Sequence, residues 1–392
     1  MGLAGPDTHR PDNDAQLEEL LRWAAAEALP FELVAAGTQR ALGRPMEPMP
    51  RIDLSRLTGI LAYEPEELVL TARPSTPLAE IRAALQAKGQ MLAFEPPDWA
   101  PLLGGVAGQG TLAGCIAANR SGPRRVRAGA ARDHMLGAAA ISGRGERFKA
   151  GGKVVKNVTG YDLPKLLTGS WGTLAAFTEL TLKVMPAPAT EVSLRLDGLA
   201  EEAALALLRR ALASPFELSG AAHDPAAGET LLRLEGFGPS VAERLAGLRA
   251  LLRLDGAVLE AEESRQRWRH IGDAAGFAGT GEILWRLSLP PADAFATVQR
   301  IRSQLGCRVL YDWGGGLVWL AIEGAIAYHE IVRGAVAAGS AFLLRAPAAV
   351  RAAVPVFQPQ PAPLAQLALR VKAQFDPLHI LNPGRMVRGH HA

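Results

Sequence analysis

Cysteine is nearly absent from this sequence. The 392 residues include two, Cys115 and Cys307. They lie far apart and form no C-x-x-C pair, so neither a disulfide framework nor a zinc site is expected, and an iron–sulfur cluster cannot be built from this chain alone. That usage fits a reducing compartment. A dominant charge is also missing. The net charge of +3 is too small for a nucleic-acid binder, whose basic residues would crowd one face. No run approaches the roughly 20 apolar residues of a membrane span. The opening "MGLAGPDTHRPDNDAQLEEL" lacks the apolar core of a signal peptide. The expected protein is soluble and cytoplasmic. Two phosphate signatures are absent as well, since nothing matches G-x-G-x-x-G or a Walker A loop.

What is present is a globular composition, 48% hydrophobic and 21% charged, at a length that suits two or three domains. Residues 1–14 read as a disordered leader. Leu17, Leu20, Leu21 and Ala24 share one face of a predicted helix. "PFELVAAGTQRALGRP" reads as a strand that empties into a small-residue loop, and "EELVLTA" as a strand. The next helix is punctuated by Thr76 as N-cap, Pro77 at the first helical position and Gly89 past the end. "FTELTLKVMPAP" alternates through Leu180, Leu182 and Val184, then stops at Pro186 and Pro188, which places a boundary near residue 188. From there to 346 the order β-α-β-β-α-β occurs twice. The fold class expected is α+β, with 189–346 forming an antiparallel sheet from two ferredoxin-like halves. An amphipathic helix and a Pro-rich tail occupy 347–392.

Three segments before residue 188 place small residues where a backbone must approach something closely. In Ala35-Ala36-Gly37-Thr38-Gln39, successive N–H groups can converge on phosphate oxygens, although such a strand-to-helix turn is often plain structure. Gly110-Thr111-Leu112-Ala113-Gly114, continued by Ala117, Ala118 and Asn119, would offer a helix N-terminus to an anion or pack tightly on a sheet. In "GGKVVKNVTGYD", Lys156 could pair with a phosphate and Asn157 or Thr159 could bond a polar edge. Gly160 would permit a backbone angle closed to other residues. The same stretch could be a solvated loop.

Taken in order, "GTQRALG", "TLAGCIAANRSGPRRVRAGAARDHMLG", "GGKVVKNVTGYDLPKLLTGSWGTL" and "FDPLHILNPGRM" resemble the FAD-binding domain of the vanillyl-alcohol oxidase and p-cresol methylhydroxylase (PCMH) superfamily. Within it the sequence is similar to the FAD-binding E subunits of bacterial glycolate oxidase (glycolate dehydrogenase). The resemblance implies a two-subdomain PCMH-type FAD-binding domain at 15–188, a cap at 189–346 and a C-terminal segment, 347–392, that returns to the first domain. It implies that Ala36, Gly37, Thr38 and Gln39 cradle the FAD pyrophosphate, and that Thr111, Leu112, Ala113, Gly114, Asn119 and Gly122 line the flavin. Lys156, Asn157, Thr159, Gly160 and Tyr161 would lie near it, with Pro97 beside the isoalloxazine and Asn382 returning from the C-terminus. The implied partners are a catalytic flavin subunit and an iron–sulfur subunit, through which the complex would sit at the periphery of the inner membrane. Two departures stand out: Ala35-Ala36 where glycines are usual, and "GTLAAF" where "GTLG" is usual.

No His or Cys lies in 31–44, where a covalent flavin linkage would attach, so the FAD is expected to be non-covalent, and Cys115 to be a packed thiol. Of eight histidines only His390 and His391 are close in sequence, and no H-x-x-x-H pair appears, so no metal is expected and no catalytic base can be named. The leading expectation is an FAD-dependent oxidoreductase subunit that needs partners to oxidise glycolate to glyoxylate. A self-sufficient FAD-dependent 2-hydroxy-acid or alcohol dehydrogenase is the alternative, as is a structural subunit with a decayed FAD site, for which the alanine replacements speak.

Overall fold

A computed structural model of the chain describes residues 7–152 and 160–387. Three short strands open it: β1 (Thr8–His9), β2 (Glu32–Val34) and β3 (Arg51–Asp53), in the parallel order β1-β3-β2. The helix Asp14–Ala26 covers them. Its Leu17, Leu21 and Ala24 fall on one face and are buried with Phe31, Ile52 and Ile380. The Asn13 side chain caps that helix by accepting from Gln16 N–H. Within the described residues the expected disordered leader is corrected for 7–14: Thr8 and His9 pair in register with Arg51 and Ile52.

Next come β4 (Ile60–Glu64), β5 (Val69–Ala72), the two-residue β6 (Gln90–Met91), β7 (Met135–Ser142), β8 (Arg147–Gly151), β9 (Ala175–Lys183) and the two-residue β10 (Met185–Pro186). Five of them form an antiparallel sheet in the order β4-β5-β9-β7-β8, and β10 pairs with β6. The helix Leu78–Gln86 lays Leu78, Ile81 and Leu85 onto this sheet's core. The predicted N-cap is one residue off. Pro77 flanks the helix, while Thr76 Oγ1 accepts from Gly59 N–H at 3.0 Å and lies 2.8 Å from the Arg73 carbonyl. A loop contact has taken the hydroxyl that the sequence pattern assigned to the helix.

The third sheet has eight antiparallel strands: β11 (Thr190–Asp197), β12 (Gly220–Asp224), β13 (Glu229–Gly236), β14 (Ala257–Glu260), β15 (Ile283–Ser288), β16 (Arg308–Asp312), β17 (Leu317–Ile322) and β18 (Ser340–Arg345). Their order is β14-β11-β13-β12-β16-β17-β15-β18, so each half runs fourth, first, third, second from one edge. The two expected ferredoxin-like halves are present, and the seam between them is a single bridging pair, His223 with Tyr311. Side chains alternate across the sheet. Leu194, Leu232, Trp285 and Leu320 face the helices of their own half. Leu231, Leu284, Leu310 and Trp319 face Leu42, Trp99 and Leu102 of the first part of the chain. A helix between the halves, Ala261–Gly272, adds Trp268 and Ile271 to that junction. Among the described residues no helix is long and apolar enough to cross a membrane.

Candidate functional site

The loop after β2 turns on Gly37, which holds the left-handed angle φ +73° and whose carbonyl accepts from Arg40 N–H at 3.2 Å. Ala35, Ala36 and Thr38 make no hydrogen bond to any described residue, and the loop is only partly covered. Behind it, the Glu32 carboxylate accepts from Arg40 at 2.7 and 2.8 Å and from Arg51 at 3.0 Å. Burial alone would raise the Glu32 carboxyl, but the bonds and charges of Arg40 and Arg51 outweigh it and hold the group below its ordinary value. The turn is thus braced from behind by a fixed ion triad.

The second segment rests on the first. A Cβ on Gly114 would lie 2.8 Å from Gln39 Nε2, so Gly114 admits the Gln39 side chain. Thr111 caps the helix Leu112–Ala117. Its N-terminus is not free for an anion, and that expectation is corrected. Leu112 N–H donates to the Thr76 carbonyl at 3.0 Å, Ala113 N–H to the Pro74 carbonyl at 2.8 Å, and Gly114 N–H to Thr111 Oγ1 at 3.4 Å. The alternative reading, tight packing, describes this helix: Leu112 is fully buried and its face belongs to the core. Ala113, Gly114, Ala117, Ala118 and Asn119 are only partly covered.

Asn119 ends that turn in the left-handed region at φ +48°. Its Oδ1 accepts from Arg132 N–H at 3.1 Å, and Gly169 packs against its Cβ. Gly122 serves packing. A Cβ there would collide with the Glu95 carbonyl at 2.5 Å, and the Gly122 carbonyl accepts from Trp313 Nε1 at 3.1 Å. Pro97 is buried, with its carbonyl accepting from Arg120 Nη1 at 3.2 Å. The Arg120 guanidinium is 3% exposed, yet its Nε and Nη2 find no acceptor. Cys115 is fully buried; burial pushes its thiol up, and Sγ approaches the Arg120 carbonyl at 3.6 Å.

Asn382, near the C-terminal end of the described residues, bonds to the strand β2. Asn382 Oδ1 accepts from Leu33 N–H at 2.8 Å, and Nδ2 donates to the Trp171 carbonyl at 2.9 Å. Trp171 N–H in turn donates to the Ala117 carbonyl at 2.9 Å. Arg385 laces the loop after Gln39 from the same side, donating to the carbonyls of Gln39 and Arg40 at 3.5 and 3.2 Å. Arg120 falls in the Asn119–Gly122 stretch expected at the flavin, whereas sequence reasoning singled out neither Trp171 nor Arg385, although both lie within the motifs quoted above. Gly160 and Tyr161 are exposed, Tyr161 at 92%, and are not drawn into this cluster. Lys156, Asn157 and Thr159 lie outside the described residues.

An FAD binding domain model matches residues 8–151. Glycolate oxidase subunit GlcE of Escherichia coli (strain K12) is 35% identical over 379 residues, spanning 96% of this chain and 97% of that protein. The chain belongs to the GlcE family. Glycolate oxidase subunit GlcD of Bacillus subtilis (strain 168) is 30% identical over 185 residues, 47% of this chain and 38% of that protein. Among solved structures, a 4-ethylphenol oxidase from Gulosibacter chungangensis with isoeugenol matches 98% of this chain and 89% of its own with a TM-score of 0.71 at 12% identity. That likeness shows the fold, and with the family match it gives a PCMH-type FAD-binding domain under an antiparallel cap.

FAD is therefore the cofactor of this GlcE-family chain, and the residues present fit it. Phosphate oxygens and flavin carbonyls are acceptors. The site offers the converse, donors without acceptors, in the amides of Ala35, Ala36 and Thr38 and in Arg120 Nε and Nη2. No described group of three His, Cys, Asp or Glu side chains could hold a metal ion. His134 is fixed in the core, its Nε2 donating to the Ala128 carbonyl at 2.9 Å, and burial lowers its proton affinity. His223 is tied to Thr230 Oγ1 at 2.9 Å, and His379 is exposed.

Proposed function

We propose that the chain is the FAD-binding subunit of a glycolate oxidase complex, oxidising glycolate to glyoxylate and passing electrons to an iron–sulfur subunit. In this reading 15–188 is the FAD-binding domain, 189–346 the cap and 347–392 the returning segment. The supporting observation is the convergence of Gln39, Gly114, Ala117, Trp171 and Asn382 through direct contacts, beside a loop whose amides have no partner. The amides of the Ala36–Gln39 loop would hold the FAD pyrophosphate. Thr111, Ala113, Gly114, Asn119, Pro97 and Asn382 would wall the flavin, with Leu112 and Gly122 holding that wall in place through their backbone bonds to Thr76, Phe94 and Trp313. Lys156, Asn157, Thr159, Gly160 and Tyr161 complete the set of proposed contacts. The cofactor, held non-covalently, supplies a two-electron acceptor.

This chain's own residues bind and orient that group, but no histidine is among the residues proposed to line it, so none is assigned the hydroxyl proton. A catalytic flavin subunit and an iron–sulfur subunit would complete the reaction, and membrane association at the inner face would run through them. The purified chain should be yellow, and acid precipitation should release its flavin into the supernatant. Dye reduction with glycolate should be weak for the single chain and appear on reconstitution with both partners. A single chain matching the complex's rate would establish the self-sufficient dehydrogenase instead. A colourless chain would establish the decayed site.

A further inference from the structure

Between the cap sheet and the FAD-binding domain, two guanidinium groups meet over one ring. The Arg125 guanidinium lies 4.6 Å from the Trp313 ring centroid and that of Arg286 lies 5.1 Å from it. Neither side chain makes an ion pair or hydrogen bond to a described residue, and Arg286 Nε is closed off from solvent without an acceptor. Two neighbouring cations that lack counter-ions destabilise each other unless an anion sits with them. Arg286 projects from β15 beside Phe342 on β18, and Phe342 touches Trp171 at 5.8 Å between ring centroids. The pair therefore borders the cluster proposed to hold the flavin. Trp313 is pinned to the same place by its bond to the Gly122 carbonyl.

The acid closest in charge terms to Arg286 is Asp312, whose carboxylate accepts from Trp313 N–H at 2.7 Å. Burial pushes the Asp312 carboxyl up to about 7, so it neutralises only part of the positive charge. Asp133 also acts on the Arg125 charge, but neither guanidinium has a carboxylate bonded to it, and planar guanidinium forks match the two oxygens of a carboxylate.

We propose that Arg286 and Arg125 form the binding site for the carboxylate of a small hydroxy acid, delivered to the face of the site covered by the cap. This rests on the glycolate reading and assigns its recognition element to this chain. Glycolate, ethylene glycol and inorganic phosphate would be titrated into the full-length flavin-loaded protein by calorimetry. Glycolate should bind, ethylene glycol should not compete, and phosphate should bind more weakly. Arg286→Gln and Arg125→Gln should each weaken glycolate binding by about tenfold to a hundredfold. Arg286→Lys, which keeps the charge and loses the fork, should weaken it less and serves as the readout if the glutamine variant does not fold. Parent affinity in both Arg125→Gln and a folded Arg286 variant would overturn the proposal, as would phosphate binding as tightly as glycolate. Flavin absorbance of the same samples separates the two readings. Full flavin with unchanged glycolate affinity in the variants defeats this inference alone, whereas a flavin-free parent defeats the functional reading on which it rests.

Discussion

Arg233 on the cap sheet donates from Nη1 and Nη2 to the two carboxylate oxygens of Glu95, at 2.8 and 3.0 Å. Arg233 is 1% exposed and stacks over Trp268 at 4.7 Å. Beside it Arg124 donates to Glu235 at 2.6 and 2.9 Å. Burial would raise the Glu95 carboxyl, but Arg233 and Arg124 hold it below its ordinary 4.5. Glu95→Ala should cost about 3–5 kcal/mol, because buried Arg233 would lose its two-pronged partner and keep only Glu235, 3.9 Å from its Nε. Urea titration measures this, and adding Arg233→Met should recover part of the loss. A cost under about 1 kcal/mol would place the pair among exposed ion pairs and contradict its burial.

Glu191 in the same lattice behaves in the opposite sense. Burial, the larger influence, pushes its carboxyl up from 4.5 to about 7 despite Arg233. The folded chain then keeps a proton that the unfolded chain releases. Its contribution is complete below pH 4.5 and fades as pH rises toward about 7. Glu191→Gln should flatten the fall in urea midpoint between these pH values. An unchanged slope in the variant would assign the titration elsewhere.

Asn382 joins Leu33 to Trp171 through both ends of its amide. Asn382→Ala leaves a donor and an acceptor unpaired in a buried place and should cost about 1–3 kcal/mol. Flavin retained per mole of purified protein should fall with it. Full flavin content in a destabilised variant would separate the contact from the cofactor site.

Gly37→Val tests the loop itself. A β-branched residue at φ +73° is strained by roughly 1–2 kcal/mol and crowds the free amides. The expected result is a folded protein with little visible absorbance. Retained colour would move the phosphate cradle to another segment.

Much of the fold was legible because its signals are local. Strand and helix periods in "TEVSLRLDG" or "SVAERLAGLRALLR" need no distant partner, and the repeated order around His223 and Tyr311 followed from them. The leader and the helix at Leu112 failed for the reverse reason. Thr8 is ordered by Arg51, and the amides of Leu112 and Ala113 are taken by carbonyls more than thirty residues away. Gly122, expected at the flavin, also makes a packing contact with Glu95 that the sequence did not announce. Small residues mark close approach, and the sequence does not say to what. Arg286 and Trp313 carried no motif at all; only the sheet brings them over the first domain.

The bonds from Phe31 and Leu33 to Ile380 and Asn382 have a consequence for how the protein is made. The strand that leads into the cradle leaves the ribosome early, while the residue that seats beside it is added 349 positions later. At ordinary translation speeds that gap lasts roughly twenty seconds to a minute. During it the nascent first domain waits with β2 unlatched, so messages or ribosomes that stop short yield chains whose cradle never closes.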